Sequence, residues 1–551
     1  MMAAWLDTFQ SGPLGLFLLA HLPVLPVLLP AFSAMALLLL GDDGGEAHGH
    51  VRLTWARRLS LTSLSLGLLL ALWLFQRTDA GVLHVYRLGE WPAPFGIVLV
   101  VDRLSALMLV LTQAVALPVL WYATGGWDAH GRYFHALFQF QVMGLCGAFV
   151  TGDLFNLFVF FEILLIASYV LLVHGQGKER FRVGVQYVVL NLLASALFLI
   201  GVSLLYGVTG TLNMADLALR VPQITGAEAV LAQSAALILL VVFGFKAALL
   251  PLSLWLPATY AAASAPVAAL FAIMTKVGVY AIVRVHGVVF GDGGGESAMV
   301  VAPWLLPLAM GTSVLGALGA LAARTLPTLV AWLTVASVGT ILTAVGLFSV
   351  AAWSAAFYYM AHSTLAVAGL FLLVELVSAQ RGDVGDRLAP ASPVAQPVRL
   401  GLMLLLAAAS MAGLPPLPGF LGKLMVLMAS QGSIAQAWVW SVVLIVGFIS
   451  LVALARAGSL LFWNVRPDLP SSSSGASAEL IIATLSLLVM GVLMSVFAAP
   501  LKHFTDAAAR QLQDRQAYGH AVLGTDPRTG EVLRTTRPYR MPAAIRPEDR
   551  P

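Results

Sequence analysis

Two stretches of the chain decide how it is built: residues 245–257 read FKAALLPLSLWLP, and residues 411–423 read MAGLPPLPGFLGK. In each, a lysine lies beside prolines inside a long apolar run. Proline removes a backbone donor and clashes with the carbonyl one turn earlier, so both helices should be interrupted. Unwound backbone at membrane depth is tolerated only where protein or a water-filled cavity satisfies it. The stretches therefore predict two polar interior sites, with helix breaks at Pro251, Pro257, Pro415, Pro416 and Pro418.

The composition around these stretches is that of a membrane protein. Of 551 residues, 60% are hydrophobic and 10% are charged, whereas soluble domains carry about 25% charged residues. Apolar runs of roughly 18 to 25 residues recur, each long enough to cross a bilayer as a helix. Strands of a membrane barrel would alternate instead. We expect an all-α polytopic fold of about fourteen transmembrane helices, near residues 14–40, 57–75, 101–123, 132–151, 153–173, 181–207, 231–262, 265–289, 301–322, 326–349, 351–378, 399–430, 436–463 and 477–499.

Two segments outside these spans have a predicted structure. Residues 84–89 and 97–100 are predicted to form an extramembrane hairpin around a Trp-Pro-Ala-Pro turn. The stretch 500–551 loses the apolar runs and is predicted to be a soluble tail, with one amphipathic helix near 503–517 and little order beyond. The net charge is +4, and the basic residues are scattered through the loops and the tail. This distribution favours contact with a membrane surface over binding of nucleic acid.

Cysteine usage and motifs exclude several classes of cofactor. The single cysteine, Cys146, lies in an apolar run and rules out a disulfide framework or a Cys-ligated iron–sulfur cluster within this chain. No nucleotide-binding loop or metal-ligand cluster is present in the sequence. We therefore expect no metal and no cofactor.

Three lysines lie where the bilayer should not hold a charge. Of the 30 Lys and Arg residues, eighteen, including Arg284, fall in predicted loops and nine in the tail, which leaves Lys246, Lys276 and Lys423 inside spans. A lysine at mid-bilayer costs about 2.5 to 3.5 kcal/mol, so it should face protein, water or a partner charge. The alternative is a side chain that reaches the interface.

Two further titratable groups lie within spans. Glu162 is nine residues, roughly 13 Å of helix, from the start of its span. His362 lies about a third of the way through its own span, and imidazole titrates near neutrality. A lone membrane histidine is often only a hydrogen-bonding residue, but this one accompanies a glutamate and three lysines. Glu375 and Asp153 lie close to span ends and are interpreted as interface residues.

Interrupted helices in corresponding positions of two halves are typical of transporters with an internal inverted repeat. The stretch from Lys246 to Pro257, followed by residues 265–267 and 275–280, resembles the antiporter-like membrane subunits of respiratory complex I and of Mrp-type monovalent cation/proton antiporters. The resemblance covers roughly residues 80–465. Residues 153–162 and 206–217 are most similar to the D subunits of the Mrp (also Pha or Mnh) group. Ser253 stands where complex I relatives usually carry a histidine.

The resemblance implies a fold and a proton route. It implies N-terminal helices with the hairpin (1–131), a first five-helix repeat (132–289), a second repeat (301–463), a last helix (477–499) and the tail. It also implies a proton relay through Glu162, Lys246, Lys276, His362 and Lys423. The implied partners are other subunits of a multisubunit complex, protons with Na⁺ or K⁺, and the lipid of a bacterial inner membrane.

Three other functions compete with that of an antiporter subunit, which would not be an enzyme. The same relay would serve a proton-pumping subunit of a quinone- or hydrogenase-linked respiratory complex, driven by electron transfer. An independent transporter of an organic solute is disfavoured because no polar cluster suits such a substrate. A purely structural scaffold would leave the buried lysines unexplained.

Overall fold

The computed structural model describes residues 13–41, 46–466, 475–526 and 529–533. The first half of the described chain contains α1 (Pro13–His21), α2 (Leu25–Leu40), α3 (Glu46–Asp79), β1 (His84–Arg87), β2 (Val98–Val101), α4 (Arg103–Ala123), α5 (Phe134–Val150), α6 (Leu154–Val173), α7 (Lys178–Thr209), α8 (Met214–Arg220), α9 (Ala227–Ala247), α10 (Trp255–Ala262), α11 (Ala265–Phe271) and α12 (Met274–Ile282). A π-helix, Val283–Val289, continues α12. The second half contains α13 (Ala302–Ala322), α14 (Leu326–Val345), α15 (Val350–Ser378), α16 (Pro397–Ala412), α17 (Pro418–Ala429), α18 (Gln436–Gly458), α19 (Ala478–Val496), α20 (Ala498–Gln513) and α21 (Arg515–Leu523).

The all-α polytopic fold predicted from the apolar runs is confirmed. Within the described residues, 11 helical segments are long and apolar enough to cross a membrane. Shorter apolar helices occupy the remaining predicted spans: α2, α5 and the pair α16 and α17. The count of fourteen stays a prediction. Helices α14 and α15 and the segment from α11 to the π-helix are almost wholly buried by protein, so they form the centre of the molecule.

Several spans are divided. The seventh runs from α9 across residues 248–254 to α10, and the twelfth runs from α16 across residues 413–417 to α17. Pro251, Pro415 and Pro416 lie in these two gaps, and Pro418 is the first residue of α17. Pro257, expected to break a helix, instead lies in the first turn of α10. It is accommodated there because the first N–H groups of a helix have no intrahelical acceptor.

The predicted hairpin is present. Strands β1 and β2 pair antiparallel, with His84 opposite Val101. Asp102 follows β2 directly, and its carboxylate accepts from Ser105 N–H at 2.8 Å, which caps α4. A carboxylate at this position satisfies an otherwise unpaired amide, so the sequence turns from strand to helix within one residue.

Helices α6 and α14 each begin at a β-bridge, and the two bridges match each other. Asp153 bridges to Asn213, and Thr325 bridges to Arg387, each pair as an isolated antiparallel β-bridge. In the first bridge Leu154 N–H donates to Leu212 O and Met214 N–H to Gly152 O, at 2.9 and 2.8 Å. The second bridge repeats both bonds in the same register, at 2.8 and 2.9 Å, from Leu326 N–H to Asp386 O and from Leu388 N–H to Arg324 O.

The loop between α4 and α5 is anchored by Asp128. Arg57 of α3 donates to both of its carboxylate oxygens, at 2.6 and 2.7 Å, and His135 Nε2 lies 3.0 Å away. Burial opposes ionisation of Asp128, but the hydrogen bonds from Arg57 and His135 outweigh it and hold the pKa below its ordinary value. No local sequence pattern indicates this anchor, because its three members lie on different elements.

The region after Pro500 differs from the expected single helix. It forms α20 and α21, which pack on the membrane-spanning part through Phe504, Ala508, Leu512 and Tyr518. Phe504 stacks on Phe75 of α3 at 4.0 Å between ring centroids. These apolar residues recur at helical spacing, so one face of the tail is built for burial. Residues 534–551, where little order was expected, lie outside the described residues.

Candidate functional site

Lys246 lies in the last turn of α9, directly before the gap. Its side chain is 6% exposed, and Nζ donates to Asn191 Oδ1 of α7 at 2.9 Å. The ammonium also lies 5.8 Å from the ring of Phe161 and 5.9 Å from that of Phe245. The negative end of a helix dipole and two aromatic faces favour a cation at this position. Lys246 thus points into protein rather than to the membrane surface.

Glu162 of α6 also contacts α7. Its carboxylate accepts a short hydrogen bond from the hydroxyl of Ser195 and is near enough to act electrostatically on Lys246. Asn191 and Ser195 are four residues apart, so they share one face of α7. Within the described residues no ion pair joins Glu162 to Lys246 at contact distance. The two groups therefore contact the same face of α7, one helical turn apart.

Two backbone groups at the gap between α9 and α10 are bound by side chains. Leu250 N–H donates to Thr312 Oγ1 of α13 at 2.8 Å. Trp255 Nε1, at the start of α10, donates to Phe245 O at 3.0 Å, next to Lys246. Buried backbone groups must be paired, so these two contacts fix the shape of the gap. One of them comes from the second half of the chain.

Lys276 lies in α12 and is fully buried. Among the described residues, its Nζ makes a hydrogen bond to the neighbouring Thr275 hydroxyl alone, at 3.3 Å. Gly278 explains how its helix approaches α9: a Cβ there would lie 2.5 Å from Ala247 N and 2.8 Å from Phe243 O. The missing side chain lets the two lysine-bearing helices touch.

Lys423 of α17 lies at the second gap. Its Nζ donates to Met411 O at 3.1 Å and to Ala412 O at 2.8 Å. Both carbonyls belong to the last turn of α16, where helix geometry leaves acceptors unpaired and the dipole is negative. The amine also borders a cavity of about 240 Å³ that reaches Phe420 and Gly447.

His362 of α15 is fully buried beside the same gap. A Cβ on Gly419, the second residue of α17, would lie 2.8 Å from His362 Nε2. His362 is near enough to Lys423 for the two to interact electrostatically. In the part of the chain that the structure describes, neither ring nitrogen makes a hydrogen bond.

Four of the five predicted residues thus form two local groups, and Lys276 belongs to neither. Glu162 and Lys246 lie around α7 at the first gap, and His362 and Lys423 lie at the second. Lys276 is on a helix that touches α9. Among the described residues no direct hydrogen bond links Lys276 to either group. A proton passing along this line would need intervening water.

Sequence reasoning missed the polar residues that hold the site. Asn191, Ser195 and Thr312 are buried, and each contacts a charged group or the backbone of the first gap. The four-residue spacing of Asn191 and Ser195 inside an apolar span was a usable signal, since polar residues within spans usually face the interior.

Arg284 was wrongly placed in a loop. It lies in the π-helix, 4% exposed, where Nη2 pairs with Asp102 Oδ2 at 2.6 Å. It also donates to the Tyr280 hydroxyl at 2.9 Å. The residue lies near a span end, and only the partner carboxylate on a distant segment reveals that it turns inward.

This architecture defines a multi-pass helical membrane protein of the antiporter-like class, with two interrupted helices that each carry or contact a buried amine. Residues 151–452 match the family described as NADH:quinone oxidoreductase/Mrp antiporter, transmembrane. The chain belongs to that family.

Relatives in both sequence and structure agree. The chain is 39% identical, over 93% of its length and 99% of the relative's, to the D subunit of a probable K⁺/H⁺ antiporter from Rhizobium meliloti. It is 33% identical to the D subunit of a Na⁺/H⁺ antiporter from Bacillus subtilis, over 91% of this chain and 99% of that one. A chain in the Mrp complex of a Dietzia species superposes with a TM-score of 0.82 at 27% identity, over 92% of this chain and all (100%) of that chain. A chain of Thermus thermophilus respiratory complex I, at 24% identity and a TM-score of 0.71 over 90% of this chain and 99% of that one, shares the fold.

Proposed function

We propose that this chain is the proton-translocating subunit of a multisubunit Na⁺ or K⁺/H⁺ antiporter in a bacterial cell membrane. It would work with the other subunits of that complex and within the lipid bilayer. As a component of a secondary antiporter, it would move ions without making or breaking covalent bonds in a substrate. The names of relatives that cover nearly the whole chain support this assignment.

The contact of Lys246 with Asn191 is the observation that carries the proposal. A buried amine with one amide partner, and with a carboxylate close by on another helix, has two ways of being held. Desolvation disfavours the charged form of a buried amine, and an opposite charge nearby favours it. If Glu162 approaches, Lys246 keeps its proton; if Glu162 withdraws towards Ser195, Lys246 releases it.

The remaining groups would carry the proton onward. From Lys246 it would pass to Lys276 on the touching helix α12, then to His362 and finally to Lys423 through ordered water. At the end of this relay, the carbonyls of Met411 and Ala412 would stabilise the protonated form of Lys423. Lysine suits this role because its protonation responds strongly to its surroundings.

An inverted repeat would give the relay two matched halves. The identical bridges at the starts of α6 and α14, and the gaps before α10 and α17, support repeats over residues 132–289 and 301–463. Interrupted helices at a repeat interface are where transporters hold their ions.

The cation would travel partly or wholly through partner subunits. Among the described residues no group of three or more acidic, histidine or cysteine side chains is arranged to hold a metal ion. Na⁺ and K⁺ require several oxygen ligands, which partner chains would have to add.

The test is cation-dependent proton flux in everted membrane vesicles that contain the whole complex. Lys246→Ala and Glu162→Ala should abolish flux, whereas Lys178→Ala, at the exposed start of α7, should leave it unchanged. Normal flux in Lys246→Ala, with the complex assembled, would reject the assigned roles. Flux that needs electron transfer rather than Na⁺ or K⁺ would instead identify a subunit of a redox-driven complex.

A further inference from the structure

Lys276 shares one face of its helix with two other polar residues. Tyr280 and Arg284 follow it at intervals of four residues, so the three side chains lie on the same face. Arg284 Nε donates to the Tyr280 hydroxyl at 2.9 Å, and the guanidinium carbon lies 5.0 Å from the centroid of the Tyr280 ring. This polar face runs from Lys276 along about 12 Å of helix.

The polar face ends at a buried ion pair next to the β-hairpin. Asp102 directly follows β2, and its Oδ2 lies 2.6 Å from Arg284 Nη2. The same nitrogen donates to Ser105 Oγ of α4 at 3.0 Å. The side chains of this pair, of Ser105 and of Tyr280 are all buried. The guanidinium therefore contacts both Tyr280, on the face that carries Lys276, and Asp102, at the hairpin.

The hydrogen bond donated by Tyr280 does not continue this line towards the hairpin. The hydroxyl donates to Phe149 O, near the end of α5, at 2.7 Å, and its oxygen accepts from Arg284 Nε. A hydroxyl carries one hydrogen, and a backbone carbonyl carries none. A proton handed on by Tyr280 would therefore stop at Phe149 O.

Arg284 cannot carry a proton either. A guanidinium is not deprotonated in proteins and offers no acceptor, so it neither releases nor receives a proton. Its fixed positive charge also repels a second positive charge in the interior, where the dielectric constant is low. Asp102 compensates the charge and makes its burial possible. Pores that must exclude protons or cations use arginine side chains in the same way.

We propose that Arg284 is a barrier that prevents the proton on Lys276 from leaking to the hairpin side of the molecule. The inference rests on the proposed function, in which Lys276 carries a proton. Asp102, Ser105 and Tyr280 are positioning residues, because they hold the guanidinium across the end of the polar face. The barrier would make the relay the only way for the proton to leave Lys276.

The experiment measures how fast an imposed pH gradient decays across proteoliposomes that contain the whole complex. The buffer holds choline salts without Na⁺ or K⁺, and a permeant lipophilic ion balances the charge. Arg284→Gln should speed the decay several-fold. The shorter side chain leaves space lined by the Asp102 carboxylate and two hydroxyls, and polar space of this kind holds water. Adding Lys276→Ala to this variant should return the decay to the wild-type rate.

Two further variants separate a barrier from an ion pair that only supports the fold. Asp102→Asn keeps the cation and a good helix cap, so it should lower the melting temperature without a leak. Arg220→Gln is the matched control. It breaks another arginine–aspartate pair, to Asp216 within α8 at 2.8 Å, and should leave the gradient as stable as in wild type.

Three outcomes would overturn the inference: a wild-type decay in assembled Arg284→Gln, a leak in Asp102→Asn, or a leak that persists when Lys276→Ala is added. If Arg284→Gln prevents assembly, Arg284→Lys decides the matter. A lysine keeps the charge but can release its proton, so this variant should leak more than wild type, and equal decay would contradict the barrier.

The barrier and the proposed function can fail separately. A wild-type decay in Arg284→Gln, together with lost cation-dependent flux in Lys246→Ala, would reject the barrier and leave the proposed function intact. Normal flux in Lys246→Ala would reject that function instead.

Discussion

The two gaps hold their lysines by different means. Lys246 has a side-chain partner, Asn191, and a carboxylate nearby on a separate helix. Lys423 donates to two main-chain carbonyls at the end of α16. Carbonyls at a helix end cannot move away without unwinding the helix, whereas an amide and a carboxylate can change rotamer. The difference indicates that the first gap is the adjustable one, and that the second holds its charge in a fixed position.

The largest effect on flux should come from removing the side chain of Asn191, the adjustable partner of Lys246. Asn191→Ala removes a charge-assisted hydrogen bond worth about 1.5 to 3 kcal/mol, which corresponds to a fall of roughly 10- to 100-fold in flux. Everted vesicles with matched amounts of complex give the measurement. Asn464→Ala, which removes an exposed amide beyond α18, should behave as wild type. Undiminished flux in Asn191→Ala would show that the contact of Lys246 with Asn191 is not needed for proton transfer.

Among the described residues, Lys423 at the second gap donates to main-chain carbonyls, so the position of this lysine is tested through Gly413. This residue has φ +87°, and a Cβ there would lie 3.0 Å from Lys423 Cδ. Gly413→Ala should lower the free energy of unfolding by about 1 to 2 kcal/mol through the left-handed backbone, and should reduce flux several-fold because the lysine is displaced.

Gly432 provides the matched control. It has φ +76° and nothing within 4 Å of the built Cβ. Gly432→Ala should therefore carry similar backbone strain, read as a lower melting temperature in detergent, with normal flux. Equal flux in the two variants would show that the position of Lys423 is not critical.

The smallest effect on flux should come from Asp128, an anchor of the first half that lies outside both gaps. Its lowered pKa means that its stabilising contribution is complete above the ordinary carboxyl value and is lost only as pH falls through the folded value, below about pH 4. Asp128→Asn should cost about 3 kcal/mol, the lower end for a broken buried pair since Arg57 is partly exposed. The melting temperature should fall while flux near neutral pH is retained, and Asp383→Asn, in an exposed turn, should change neither. A large loss of flux per assembled complex would place Asp128 in the conducting machinery.

The sequence was sufficient for features that depend on one segment at a time. Apolar runs, prolines and the hairpin turn predicted the helical membrane fold, both gaps and the strands. It failed where a distant segment decides the outcome. Arg284 turns inward because Asp102, on another element, pairs with it. The tail packs because Phe75 and Ser354 offer surfaces that no local pattern reveals.

The sequence predicts individual residues of the site but not the contacts between them. The cost of burying an amine identifies Lys246 and Lys423 from sequence alone. Which atoms accept hydrogen bonds from these two lysines depends on how α7 and α9 cross and on where α16 ends. These are tertiary facts, and the spacing of Asn191 and Ser195 was the only local trace of them.

The hydroxyl of Thr312 accepts from Leu250 across the boundary between the halves. Any widening of the first gap must either break that bond, leaving a buried amide without a partner, or drag α13 with it. A movement at the first gap is therefore coupled to α13 in the second half of the chain. The two halves would change conformation together rather than independently.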